Sequence, residues 1–259
     1  MLHDHRMASI TDFPKLYEPF PNVKIRGGIS YFLWARDHDG PCAFRTMMDG
    51  KPVGATVERY LDENDVLIRW NDAVPILAKV RAKGEPTLDA RVSANKPFGW
   101  RTFYHGAANP KGMSDPVKLY GSQRVTWVER GSIPQNAEWV SDWKVLMTAV
   151  QGTSAAIERQ FLPRPIVAGP GSACTETYLV AGRFASEAEA QSYASYLRTR
   201  FVRFLVSLRK STQHAACDVY AYVPDLIYDH EYTDAELYER YGLTEAEHAF
   251  IETIINPLD

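Results

Sequence analysis

An α+β fold, with a mixed or antiparallel β-rich body and a helical C-terminal part, is predicted by three features of this 259-residue chain. Short strand-like runs punctuated by Gly, Pro, Asp and Asn dominate residues 1–150. A long apolar stripe at three- and four-residue steps follows, and Ser/Thr-x-x-Glu capping boxes recur in the last third of the chain.

In chain order, the strand-like runs of the first part are Ala8 to Phe13, Gly28 to Arg36, Cys42 to Met47, Val53 to Arg59, Val117 to Leu119, Arg124 to Val128 and Trp143 to Thr148. One helix interrupts them: Asp72 to Lys83 sets Val74, Ile76, Leu77 and Val80 at helical spacing, and Gly84 stands where a helix stops. The second part, 151–259, opens with a strand at Thr177 to Arg183. Ser186-x-x-Glu189 then caps a helix whose stripe runs from Ala190 through Tyr193, Leu197, Phe201, Phe204, Leu205 and Leu208, with a break expected near Thr199. Two further boxes, Thr233-x-x-Glu236 and Thr244-x-x-Glu247, open short helices, the second ending at Pro257. The two parts are expected to pack as one unit.

Composition narrows the function classes. Apolar residues make up 45% and charged residues 24%, which is ordinary for a folded globular protein. No apolar run reaches the roughly 18 residues of a membrane span and no signal peptide opens the chain, so a cytoplasmic protein without a membrane partner is expected. Cys42, Cys174 and Cys217 are widely spaced and odd in number, which argues for reduced, structural thiols. The seven histidines form no His-x-x-x-His zinc pair, so no metal site is expected. The net charge of −3 hides an uneven distribution: from Ala215 onward eleven carboxylates face one basic residue, Arg240, leaving +7 on the rest. Phosphate binding needs such local positive potential.

Two stretches carry candidate binding chemistry. The first, Arg198, Arg200, Arg203, Arg209, Lys210 and the following Gln213, contains no acidic residue from Gln191 to Ala216, and Arg200 and Arg203 share a helical face. It reads equally well as a phosphate-binding strip and as a solvated face paired to Asp225 or Glu231. The second is the loop Ser93 to Arg101, in which Asn95, Lys96 and Arg101 are base-reading groups; its alternative is a polar loop around a buried Trp100. Lys144 adds a further cation for phosphate, as do Lys111 and Lys118.

Catalytic groups are harder to find. Asn109-Pro110-Lys111-Gly112 lacks the second proline and aromatic of an adenine-amino methyltransferase loop. Gly169-Pro170-Gly171-Ser172 precedes a strand and cannot aim a helix N-terminus at a phosphate, which makes it a structural turn. Asp142-Trp143-Lys144, with Asp115 upstream, is a fragment of a metal-dependent nuclease pattern.

Several strings together resemble one family: Phe20 to Trp34, Lys96-Pro97-Phe98-Gly99, Trp143-Lys144-Val145, Gly169-Pro170-Gly171-Ser172, Leu197 to Phe201, and the ending Leu237 to Thr244 with Phe250-Ile251-Glu252. In order and spacing they are similar to the target-recognition region of N6-adenine DNA methyltransferases from type II restriction-modification systems, including fused restriction-methylation enzymes. The resemblance covers nearly the whole chain. It implies a double-stranded DNA partner, and S-adenosylmethionine with the methyl-transfer chemistry on a separate catalytic domain or subunit. No catalytic residue and no cofactor are expected in this chain. The DNA-binding residues expected are Asn95, Lys96, Arg101, Lys144, Arg198, Arg200, Arg203, Lys210 and Gln213. Two alternatives stay open: a metal-dependent endonuclease subunit using Asp142 and Lys144, and a module that docks its acidic tail, Asp225 to Glu252, onto a methyltransferase subunit.

Overall fold

The structure, a computed structural model, describes residues 1–14, 20, 28–150, 160–210 and 216–258. Gln213 lies outside them. The chain divides into two compact units, Met1–Ala82 and Lys83–Asp259.

The first unit is a four-stranded sheet. β1 (Met7–Phe13) pairs antiparallel with β2 (Ile29–Trp34) and parallel with β3 (Cys42–Met48), and β4 (Lys51–Arg59) closes the order β2-β1-β3-β4. Alternation places Ile10, Cys42 and Phe44 on a shared core with Met7 and Leu61. Helix α1 (Ala73–Arg81) follows, burying Ile76, Leu77 and Val80 as the spacing predicts, with Ala73 in the core and Val74 only half-buried. The unit's buried polar groups are satisfied internally. Asp12 takes a bidentate Arg69 at 2.7 and 2.9 Å, and Asn71 donates to the Phe44 and Ala55 carbonyls while accepting from Arg59.

The second unit holds two three-stranded sheets and the C-terminal helices. β5 (Pro116–Gly121) lies between β6 (Arg124–Glu129), antiparallel, and β9 (Ser172–Cys174), parallel. β7 (Trp143–Thr148) lies between β8 (Ile166–Ala168) and β10 (Tyr178–Phe184), antiparallel to both. The sheets share one core, in which Val117, Leu119 and Val128 meet Leu146, Ala168, Ala173 and Val180, with Phe98 and Trp100 added from the loop before β5. The chain changes sheets between β8 and β9 at Gly169-Pro170-Gly171-Ser172. Gly171 has φ +77 there, its N–H donates to Val140 and its carbonyl accepts from Lys118. This string is the structural turn the sequence predicts.

The sequence divides the chain near residue 150, but the compact units meet at Ala82 and Lys83. The reason is sheet pairing. β5 and β7 find their partners in β8, β9 and β10, so the shift near residue 150 changes the kind of element within one unit.

Helix α2 (Glu187–Arg198) opens on the complete Ser186/Glu189 capping box. It stops at Thr199, which caps α3 (Arg200–Arg209) by accepting from the Val202 N–H at 3.2 Å. α4 (Asp234–Arg240) and α5 (Glu245–Ile254) complete the ending. Thr244 and Glu247 form a complete box. At α4 only half forms: Thr233 accepts from the Glu236 N–H, but the Glu236 carboxylate lies 2.7 Å from His230 Nε2 instead. The acidic tail is built into the unit. Asp225 takes a bidentate Arg91 and the Tyr228 hydroxyl, Asp234 accepts from the Phe201 N–H, Arg240 pairs with Glu85, and Tyr241 stacks on Phe201 at 4.9 Å. Among the described residues no helix is long and apolar enough to cross a membrane.

Candidate nucleic-acid interface

The two candidate stretches fare differently. In the helical strip, Arg203 is only 1% exposed and lies within α3, a helix buried on most sides by α2, α4, α5 and the 3-10 turn Cys217–Tyr220. Its Nε donates to the carbonyls of Arg198 and Thr199 at 3.1 and 3.2 Å, and its Nη1 to that of Asn256 at 2.7 Å. The break at Thr199 causes this. It leaves the Arg198 carbonyl, the last of α2, without a partner in its own helix, at the negative end of the helix dipole, and a guanidinium one turn into α3 donates to it. Burial pulls the Arg203 pKa down to about 10.

Lys210 is also turned inward, its Nζ donating to the Phe161 carbonyl at 2.5 Å, and burial pulls its pKa down to about 8. Arg198 and Arg200 remain at the surface, each beside a carboxylate: Glu231 at 3.6 Å and Glu252 at 3.4 Å. The expected phosphate strip is thereby corrected. Arg203 and Lys210 serve carbonyls, and the field of Arg198 and Arg200 is offset by the tail.

Lys144 is corrected on the same ground. Its side chain is fully buried on β7, and Nζ donates to the carbonyls of Trp139, Val140 and Asp142 at 3.0, 3.4 and 2.6 Å. These belong to the end of the 3-10 turn Ala137–Ser141 and the residue after it. Burial pulls its pKa down to about 8. The Asp142 carboxylate accepts from Arg183 at 2.8 Å. The Lys144 ammonium is thus committed to backbone carbonyls, that of Asp142 among them, and the Asp142 carboxylate to Arg183, so both groups of the nuclease fragment serve structural contacts.

The loop from Ser93 to Ser114 is built as an anchored frame with an exposed tip. Lys96 adopts φ 57, stabilised by its carbonyl accepting from the Gly99 N–H and from Gln135 Nε2, while Asn136 Nδ2 donates to the Pro97 carbonyl. Phe98 is fully buried, edge-on to Trp139 at 6.0 Å. The Lys96-Pro97-Phe98-Gly99 string therefore anchors the loop, and Trp100 is buried as well. Asn95 and Arg101 are exposed and Lys96 is half-buried at the surface. Arg101 has Glu176 at 3.6 Å, an exposed pairing that stabilises little.

Beyond Arg101 the chain makes a turn closed by the Tyr104 N–H on the Arg101 carbonyl at 3.0 Å. The Thr102 N–H donates to Glu176 Oε1 at 3.0 Å, and the Glu176 N–H donates back to the Trp100 carbonyl. The Trp100 and Tyr104 rings stack at 4.8 Å, 5° from parallel. Gly106 then passes so close to β6 that a Cβ there would lie 2.1 Å from the Trp127 carbonyl oxygen, and Ala107 bridges Trp127 through both backbone bonds. Lys111 and His105 are exposed on the same loop, and Lys118 is half-buried on β5.

Sequence reasoning limited to Ser93 to Arg101 misses Phe103 and His105. A signal is present, since no acidic residue occurs from Ala90 to Ser114 while Lys96, Arg101 and Lys111 do. No protein-family model matches the chain, and no curated protein matches it.

Proposed function

We propose that the chain is a sequence-selective double-stranded DNA recognition module of an adenine-specific restriction-modification methyltransferase. It acts in the cytoplasm beside a separate domain or subunit that holds S-adenosylmethionine and transfers the methyl group. The observation that carries the reading is the loop Ser93 to Ser114, a stretch that carries Lys96, Arg101, Lys111, Asn95 and Asn109 and no carboxylate, on a frame fixed at both ends. Preorganised loops on a rigid scaffold are where recognition residues are best placed.

In this reading Arg101, Lys96, Lys111 and Lys118 position the phosphate backbone. Asn95 and Arg101 are the groups able to make bidentate contacts to base edges in the major groove. Arg198 and Arg200 contribute at most a peripheral contact, because Glu231 and Glu252 sit beside them.

The test is a salt titration of binding to a pool of randomised duplex DNA, with the retained fraction sequenced. Enrichment of one motif, with affinity falling steeply as salt rises, is the expected result. Absence of retention at low salt would overturn the reading.

A further inference from the structure

Phe103 is 78% exposed, more than any other large apolar side chain among the described residues. Its backbone is nonetheless fixed on both sides. The Thr102 N–H is held by Glu176, the Tyr104 N–H closes the turn on Arg101, and the Trp100–Tyr104 stack forms the base beneath the tip. Further along, Gly106 donates to Thr126 Oγ1 at 3.2 Å and Ala107 bridges Trp127. An apolar ring presented to water on a rigid turn is poised to meet a partner, since little ordering remains to be done on binding.

The surroundings indicate what kind of partner. Arg101 and His105 flank the ring at two residues on either side, Lys96 and Lys111 lie on the same loop, and the stretch from Ala90 to Ser114 carries no carboxylate. Glu176, beside Arg101 and Thr102, is the acidic group that reaches the turn from β9–β10. An exposed ring on a loop that carries Lys96, Arg101 and Lys111 and no carboxylate of its own suits a flat base attached to a phosphate backbone.

We propose that Phe103 stacks on an unstacked base of the bound DNA, as a wedge at the tip of the reading loop; this rests on the DNA-recognition reading above. Arg101 and Lys111 hold the flanking phosphates while the ring occupies the space opened at one base step. The experiment uses the full chain and duplexes recovered from the randomised pool, with 2-aminopurine replacing adenine one position at a time.

Wild-type protein is expected to raise the fluorescence at one position, reporting local unstacking. Phe103→Ala is expected to lose that signal and about 10-fold or more in affinity, while Phe103→Trp keeps both. Because the side chain is exposed, thermal unfolding of Phe103→Ala should match wild type, which separates a missing wedge from a damaged fold. Equal affinity and an equal fluorescence rise for wild type and Phe103→Ala would overturn the wedge and leave DNA recognition standing. So would a Phe103→Ala variant that binds DNA normally but fails to assemble with a protein partner. Wild-type protein that retains no DNA at low salt would remove the DNA reading itself, and the wedge with it.

Discussion

The loop at 93–114 and the segment from Gln191 through α3 both carry clustered cations in stretches free of carboxylates, yet the fold uses them in opposite ways. The helices break at Thr199, and the break makes Arg203 a cap for α2, while Lys210 serves another carbonyl. The loop satisfies its own turns with neutral groups, chiefly Gln135, Asn136 and backbone N–H donors, together with one carboxylate, Glu176. Its cations are left for the surface. Local cationic composition is therefore a poor guide to a binding face until the backbone's own demand for donors has been met.

The sharpest way to break this comparison is Arg203→Met. It removes the side-chain donor from the carbonyls of Arg198, Thr199, Gln160 and Asn256, and a loss of about 3 kcal/mol or more is expected in denaturant unfolding. Full stability in this variant would return Arg203 to the pool of available cations. Tail deletion from residue 216 tests the same packing, because Asp225, Asp234 and Tyr241 are internal partners of the unit. Cooperative unfolding of the unit is expected on deletion, not a freed basic surface.

Lys144→Met probes the other buried cation and carries a pH signature. Lysine ordinarily titrates near 10.5 and this one near 8, so the unfolded chain binds more protons between those values. Wild-type stability should therefore rise as pH goes from about 8 to about 10.5, by an amount on the order of 1–3 kcal/mol. Below pH 8 both states are protonated and the burial penalty is complete. The variant should show a shallower slope, keeping the share of Lys210, which burial also holds near 8, and an identical slope in both proteins would remove Lys144 as a source.

Gly106→Ala acts on the loop's anchor. A methyl group 2.1 Å from the Trp127 oxygen has no room, so the Ala107–Trp127 bridge must open. A cost of about 2 kcal/mol is expected, with loss of sequence selectivity in the pool experiment. The smallest effect on stability belongs to Arg101→Ala, under about 0.5 kcal/mol because its pairing with Glu176 is exposed. Its effect on DNA binding should be plain.

Much of the fold is legible in the sequence because its signals are local. The strand-like runs between Gly, Pro, Asp and Asn mark β1 to β7 and β10 to within a few residues, the boxes at Ser186 and Thr244 form as written, and the break at Thr199 falls where it is expected. The three-residue strands β8 and β9 are too short for any periodicity to register. The unit boundary is also hidden, since it depends on which distant strands pair.

The candidate site is half legible. The polar loop can be located, but not that Lys96 to Gly99 is its anchor and Phe103 its tip, because a loop aromatic reads by default as core. For α3 a warning is present. Val202 and Val206 widen the apolar arc about 100° around the helix from Phe201 and Leu205, which signals a helix buried on several sides with little solvent face to spare for Arg203.

The contrast between loop and helix is tested most directly by the salt dependence of duplex binding in two double variants, Lys96→Ala/Arg101→Ala and Arg198→Ala/Arg200→Ala. Removing one cation that binds a phosphate should flatten the plot of log affinity against log salt by about 0.9. A slope reduced by nearly two such steps is expected in the loop variant, and one close to wild type in the helix variant. A reduced slope in the helix variant, with the loop variant unchanged, would contradict the contrast and place the DNA on α2 and α3.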